Sequence, residues 1–194
     1  MMSHDSIYTH QYYRELSRSS EVAARVIAAS IVATLSPGTV VDVGCGSGDL
    51  LLELTKCGVS GLGMELSTVA LETCRSRGID CLQFDLTADA LPEGIRADLA
   101  VSLEVAEHLP QDAAHNYLAV LTAIAPCLVF SAATPGQGGT SHLNEQPPEY
   151  WISRMNAHAL SVDWEVTHRW RDTWREAGIA PWYHRNVLVF RRSF

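Results

Sequence analysis

Residues 40–48 read Val40-Val41-Asp42-Val43-Gly44-Cys45-Gly46-Ser47-Gly48. A short, apolar, β-branched run enters a turn with glycine at every second position. The run Thr39 to Val43 is therefore expected as a buried strand, and the turn leads into a helix from Asp49 to Lys56. Glycine is needed where the backbone takes a positive φ or passes close to a ligand. Strand, glycine turn and helix in that order make a ligand-binding βα unit. The spacing Gly-x-Gly-x-Gly departs from the Gly-x-Gly-x-x-Gly of a dinucleotide fingerprint, because residue 49 is Asp. With Asp42 and Asp49 flanking it, the turn suits a cationic ligand better than a pyrophosphate.

Outward from this unit, strands and helices alternate. A helix from Ser20 to Leu35, capped by Ser20, carries one apolar stripe and ends at Pro37-Gly38. Strands are expected at 61–66, 79–84, 98–103, 127–132 and 186–191. Helices are expected at 68–76 behind a Ser67 cap, and at 111–123, 149–158 and 167–177. This alternation means an α/β fold with a parallel sheet, as one domain over 1–194. Ligands in such folds sit at the carboxyl ends of the strands.

Of the 194 residues, 47% are hydrophobic and 19% charged, which is a globular composition. The net charge of -8 argues against a nucleic-acid partner, which calls for a basic surface. Of 14 basic residues only Lys56 is lysine. Arginines gather only in the C-terminal half. No apolar stretch is long enough for a membrane span, and no apolar signal-peptide centre opens the chain. Five cysteines without metal-type pairing fit a reduced, cytoplasmic protein. A homodimer is the expected assembly.

Two more acids fall at strand ends. Glu65 closes the second strand, where a carboxylate can accept both ribose hydroxyls of a nucleoside. Asp85 follows the third, where it can accept an adenine amino group. Together with the glycine turn and Glu104-Val105-Ala106-Glu107-His108, these residues resemble the class I methyltransferases that use S-adenosylmethionine (SAM). The resemblance covers residues 20 to 192. It implies a Rossmann-like, seven-stranded, mostly parallel sheet with an antiparallel last strand. It also implies that Gly44, Gly46 and Gly48, with Asp42 and Cys45, pass the methionine part of SAM. Glu65 would hold the ribose and Asp85 the adenine, while Met64, Leu66, Leu86 and Leu103 would pack against the cofactor.

Glu104, Glu107 and His108 stand at i, i+3 and i+4, so one helical turn would project them to one side. They could equally begin a helix and nothing more. The loop 134–150 then carries His142, Asn144, Gln146 and Tyr150-Trp151. This order resembles the metal-dependent small-RNA 2′-O-methyltransferases, and the resemblance implies a divalent cation, Mg²⁺ first, on Glu104, Glu107, His108 and His142. The segment with Trp182-Tyr183 also resembles bacterial glycan methyltransferases, including the family acting on O1 of short methylmannosides. The implied acceptor is a small molecule, a sugar or other polyol, with Tyr8, Tyr12, Asn144, Gln146, Tyr150 and Trp151 on its side. His142, Glu104 and His108 would be catalytic; His142 serves as ligand or as general base. Residues 1–19 read as a lid over the cofactor or as a disordered tail. Two other readings stand beside this one. The first is a metal-free natural-product methyltransferase with His108 or His142 as base. The second is a non-catalytic SAM-binding scaffold domain.

Overall fold

A computed structural model describes residues 10–192, with side chains from residue 20 onward. It divides into two compact units, Met1–Asp85 and Leu86–Phe194.

The first unit holds α1 (His10–Leu35), β1 (Thr39–Val43), α2 (Asp49–Lys56), β2 (Ser60–Glu65), α3 (Thr68–Ser76) and β3 (Cys81–Gln83). Its strands are parallel in the order β3-β2-β1. Val40, Val41 and Val43 are buried, as the β-branched run requires. Ser67 caps α3 by accepting from Ala70 N at 3.3 Å. Ser20 does not begin a helix: α1 starts at His10, and the Ser20 hydroxyl donates to Asp49 Oδ2 at 2.8 Å. A long-range partner for the hydroxyl thus replaces the local capping bond.

The second unit holds β4 (Leu99–Leu103), two 3-10 turns (Ala106–His108 and Gln111–Ala113), α4 (Ala114–Ile124) and β5 (Cys127–Ser131). It continues with α5 (Pro148–Ala157), β6 (Leu160–Val162), α6 (Trp164–Glu176), α7 (Pro181–Asn186) and β7 (Leu188–Arg192). Strand order is β4-β5-β7-β6. β4 and β5 are parallel, and β7 runs antiparallel to both its neighbours. The seven strands are those of a mixed, seven-stranded α/β sheet with an antiparallel last strand. Phe130, Phe190, Tyr117, Trp151 and the stacked pair Trp170 and Trp174 form this unit's core.

Three local expectations change. Asn186 ends α7 instead of opening the last strand, because Pro181 at the first helical turn starts a helix there. β6 is an added strand of three residues. The helix expected at Thr167 begins at Trp164, since Asp163 accepts from Val166 N at 3.1 Å and caps it. The C-terminal arginines are engaged within the unit. Arg171 donates to Val187 O, Arg175 pairs with Asp172, Arg191 with Asp163, and Arg192 donates to Thr122 O. No helix among the described residues is long and apolar enough to cross a membrane.

Candidate active site

In the first unit, β1 hands the chain to the glycine turn while β2 holds it in place. Gly44 N and Cys45 N both donate to Met64 O, at 2.7 and 3.2 Å. Gly44, Gly46 and Gly48 take φ of 78°, 53° and 77°, the left-handed region that side chains resist. A Cβ on Gly48 would also stand 2.7 Å from Ile79 Cδ1 and 3.0 Å from Cys74 Sγ. The turn is therefore glycine for shape and for space.

Glu65 ties the turn together. Its Oε2 accepts from Gly46 N at 2.9 Å, and its Oε1 accepts from Leu66 N and Ser67 N, both at 2.8 Å. A carboxylate offers about four acceptor sites; three are used by backbone amides, and Oε2 keeps one. Asp42 is buried, and its carboxyl is pushed up to about 7, by burial first and by Glu65 second. Asp49 departs from the expectation of a charge facing a ligand. Ser20, Ser47 and Arg77 all donate to its carboxylate, the last at 2.5 Å. Its charge is matched internally. Leu66 and Asp85 are half-buried. Met64 is 1% exposed, so its side chain belongs to the core and offers no face to an adenine.

In the second unit, Leu86 is buried and its carbonyl accepts from Asn116 Nδ2, while Leu103 is half-buried at the end of β4. Just beyond β4, Glu104 takes a left-handed φ of 55°. Such strain in a non-glycine residue costs about 1–3 kcal/mol and gathers at functional sites. Its backbone N donates to Ser131 O at 3.0 Å and Ser131 Oγ at 3.1 Å, fixing it to the end of β5. Its carboxylate receives Gln137 Nε2 at 3.0 Å and Asn186 Nδ2 at 3.4 Å. Asn186 Nδ2 also donates to Gln137 Oε1 at 2.8 Å, closing a ring of three side chains. Glu104 is thus not part of the helical turn that sequence spacing suggested; that turn holds only Glu107 and His108.

The loop after β5 is pinned to this turn. Leu143 N and Asn144 N both donate to Glu107 O, at 2.7 and 3.0 Å. That sets His142 beside His108, ring centroids 5.0 Å apart in an edge-to-face arrangement. Glu107, His108 and His142 each present a ligand atom within 4.8 Å of the others, a group able to hold a metal ion. Glu107 is fully buried and neither carboxylate oxygen has a hydrogen-bond partner. Burial, then the nearby Glu104 charge, pushes its carboxyl up to about 8. A buried carboxylate without donors beside two imidazoles fits a cation well. The resemblance implied four ligands; among the described residues the compact group has three, with Glu104 held by the Gln137 and Asn186 amides.

Glu145, Gln137, Asn186 and Ser131 were not anticipated. Glu145 accepts from Gly136 N, Gly138 N and His142 Nδ1, each at 2.8 Å. With Nδ1 donating there, the His142 lone pair lies on Nε2, the arrangement a ligating imidazole has. Gly139 makes room for that ring: a Cβ there would stand 2.2 Å from His142 Nε2. The signal for Glu145 was its position three residues from His142; nothing local marks Asn186.

On the expected acceptor side, Asn144 is buried, takes a bond from Gln146 Nε2 at 2.8 Å, and leaves its own Nδ2 without a partner. Tyr150 is half-buried under the Arg154 guanidinium, 3.9 Å from its ring centre. Trp151 is 2% exposed, packed by Tyr117, Phe130 and Tyr150. It is a core anchor, and no face is free to stack on a sugar. Tyr8 lies outside the described residues, as does the side chain of Tyr12 in α1.

Comparison with known proteins follows the same lines. The family described as a methyltransferase domain matches residues 8–178. A ubiquinone biosynthesis O-methyltransferase from Methylococcus capsulatus is 30% identical over 152 residues, covering 73% of this chain and 59% of that protein. The chain thus spans about three fifths of the length of the curated relatives it matches. Among solved structures, a sugar N-methyltransferase from Streptoalloteichus aligns with a TM-score of 0.75 at 14% identity, covering 100% of this chain and 97% of that one. A magnesium protoporphyrin IX methyltransferase from Synechocystis, with SAH bound, aligns at 0.69 and 18% identity, covering 93% and 86%. These two share the fold.

Proposed function

The chain belongs to the methyltransferase-domain family, and on that premise we propose that it is a SAM-dependent O-methyltransferase for a sugar or other small polyol, assisted by a divalent cation. The observation that carries the acceptor half is the cluster of Glu107, His108 and His142, whose carboxylate is buried and unpartnered. The relatives named as O-methyltransferases favour oxygen as the acceptor atom.

In this reading the first unit binds SAM. Gly44, Gly46 and Gly48 let the backbone approach the methionine part, beside Asp42 and Cys45. Glu65 Oε2 retains one acceptor site for a ribose hydroxyl, and Asp85 takes the adenine, with Leu66 as an apolar neighbour. The methyl group of SAM is already activated as a sulfonium, so the protein's work is to orient a hydroxyl and remove its proton. The second unit does this. Glu107, His108 and His142 would hold Mg²⁺ or a softer divalent ion, with Glu104 beside them. A bound cation lowers the pKa of a hydroxyl and fixes its direction. Glu145 holds the His142 ring by Nδ1 and leaves Nε2 free to act. Asn144, Gln146 and Tyr150 supply polar contacts to the acceptor. The net charge of -8 favours a small-molecule partner over nucleic acid. We place the enzyme in the cytoplasm, as a homodimer.

The test is transfer of labelled methyl from SAM to a panel of methyl glycosides, with Mg²⁺ and with EDTA. Transfer that EDTA abolishes is expected. Transfer indifferent to EDTA favours the second reading, a metal-free enzyme in which the His142–Glu145 pair serves as general base. SAH binding without transfer to any glycoside or other hydroxyl compound would leave only a SAM-binding scaffold.

A further inference from the structure

We infer that the short helix α7 is the acceptor-recognition element of the second unit. Trp182 is the platform for the apolar face of a ring-shaped polyol, and Asn186 is the positioning residue for Glu104. The inference rests on the polyol reading above and names the residues that select the ring.

Three observations converge on α7. First, Asn186 is buried, and its amide bonds both Glu104 Oε1 and Gln137 Oε1, so one face of α7 meets the acid cluster. Second, Trp182 precedes Asn186 by four residues, one helical turn on the same face, and it is 42% exposed. Third, the described residues of this unit expose three large apolar side chains: Leu143, Trp164 and Trp182. Two belong to segments that also bond the cluster. Leu143 N donates to Glu107 O, and Trp182 shares α7 with Asn186. Trp164 sits at the start of α6, against His168. Exposed apolar side chains on segments that also bond a polar cluster are candidates for binding a ligand there. An indole offers a rigid, flat face with little conformational entropy to lose. A pyranose ring has the matching form, with C–H groups on its faces and hydroxyls around its edge. The edge would meet Glu104, Gln137 and the cation ligands. With Trp151 enclosed in the core, Trp182 is the exposed indole on the helix that also carries the Asn186 bond to Glu104.

Asn186 has a separate task. Glu104 is held by two amides at a strained φ, and removing Asn186 leaves its Oε1 without that donor. Its loss should slow turnover without weakening acceptor binding.

The test is acceptor kinetics on the full chain, with SAM as donor and the best methyl glycoside of the panel. SAH affinity by calorimetry serves as the check on folding. Trp182→Ala is expected to raise acceptor KM at least tenfold with kcat within threefold, and Trp182→Tyr to restore most of that loss. Asn186→Ala is expected to lower kcat at least tenfold with acceptor KM within threefold. SAH affinity stays within twofold in all three. An unchanged KM in Trp182→Ala overturns the platform. Equal losses of SAH affinity and acceptor KM, in both Trp182→Ala and the milder Trp182→Leu, overturn it as well. A fall in every parameter on Asn186→Ala, with a lower Tm, overturns the positioning role. Should the wild-type chain methylate no glycoside, the polyol reading fails and takes this inference with it. Wild-type turnover with an unaffected Trp182 variant removes this inference alone.

Discussion

At Gly48 two independent constraints fall on one atom position. The backbone is left-handed, and a methyl group would press on Ile79 and Cys74. Gly48→Ala should cost about 1–3 kcal/mol of stability, and SAH affinity should fall at least tenfold; calorimetry and thermal melts read both. Asp42 gives a pH signature. Its folded carboxyl titrates near 7, whereas an unfolded aspartate titrates at about 3.9. Between those values the folded state binds more protons than the unfolded chain, so this group's contribution to stability falls as pH rises through that window and is level above it. Asp42→Asn should remove that slope, by an amount on the order of a few kcal/mol. The variant's Tm, relative to wild type, should therefore be higher at pH 8 than at pH 5. The glycines, Asp42 and Glu65 were legible in the sequence because strand, turn and strand end fix where they fall. The Arg77–Asp49 pair was not, since its partners are 28 residues apart.

At the scale of the element, the loop 134–150 is ordered by polar bonds rather than by apolar burial. Glu145 gathers two loop amides and the His142 ring, and Glu107 O gathers two more amides. Glu145→Ala should free the loop. Faster hydrogen exchange over 136–142 is expected, with Mn²⁺ affinity lowered about tenfold or more and SAH affinity unchanged. Unaltered Mn²⁺ binding would remove His142 from the ligand set. The longer helices α4 and α6 were readable, although α6 opens three residues before the expected Thr167. α7 and β6 were not. Six residues without an apolar period, and three residues of edge strand, carry too little pattern. Asn186 falls in a strand by sequence for that reason, and chain position alone leaves Trp151 open between the acceptor side and a buried helix anchor.

At the scale of the whole molecule, most of the residues assigned to SAM fall within Met1–Asp85, and all those assigned to the cation fall within Leu86–Phe194. The two ligands should therefore be separable by mutation. A ligand at a hundred times its Kd stabilises a protein by about 2.7 kcal/mol, enough to read in a melt. SAH should raise the Tm of wild type and of His142→Ala, and that of Gly48→Ala by about half as much or less. Mn²⁺ should show the reverse pattern. A loss of both responses in either variant would contradict the division of labour. The α/β class is legible in the sequence because alternation of strand and helix leaves few topologies.

Gly139 turns an inconspicuous position into a sensitive one. It lies in an exposed stretch that looks like a spacer, yet the His142 imidazole fills the volume where any side chain would begin. In a saturation scan of this loop, residue 139 should tolerate substitution as poorly as the histidine it accommodates. An engineer reshaping acceptor preference would do well to diversify the neighbouring positions and leave this one as it stands.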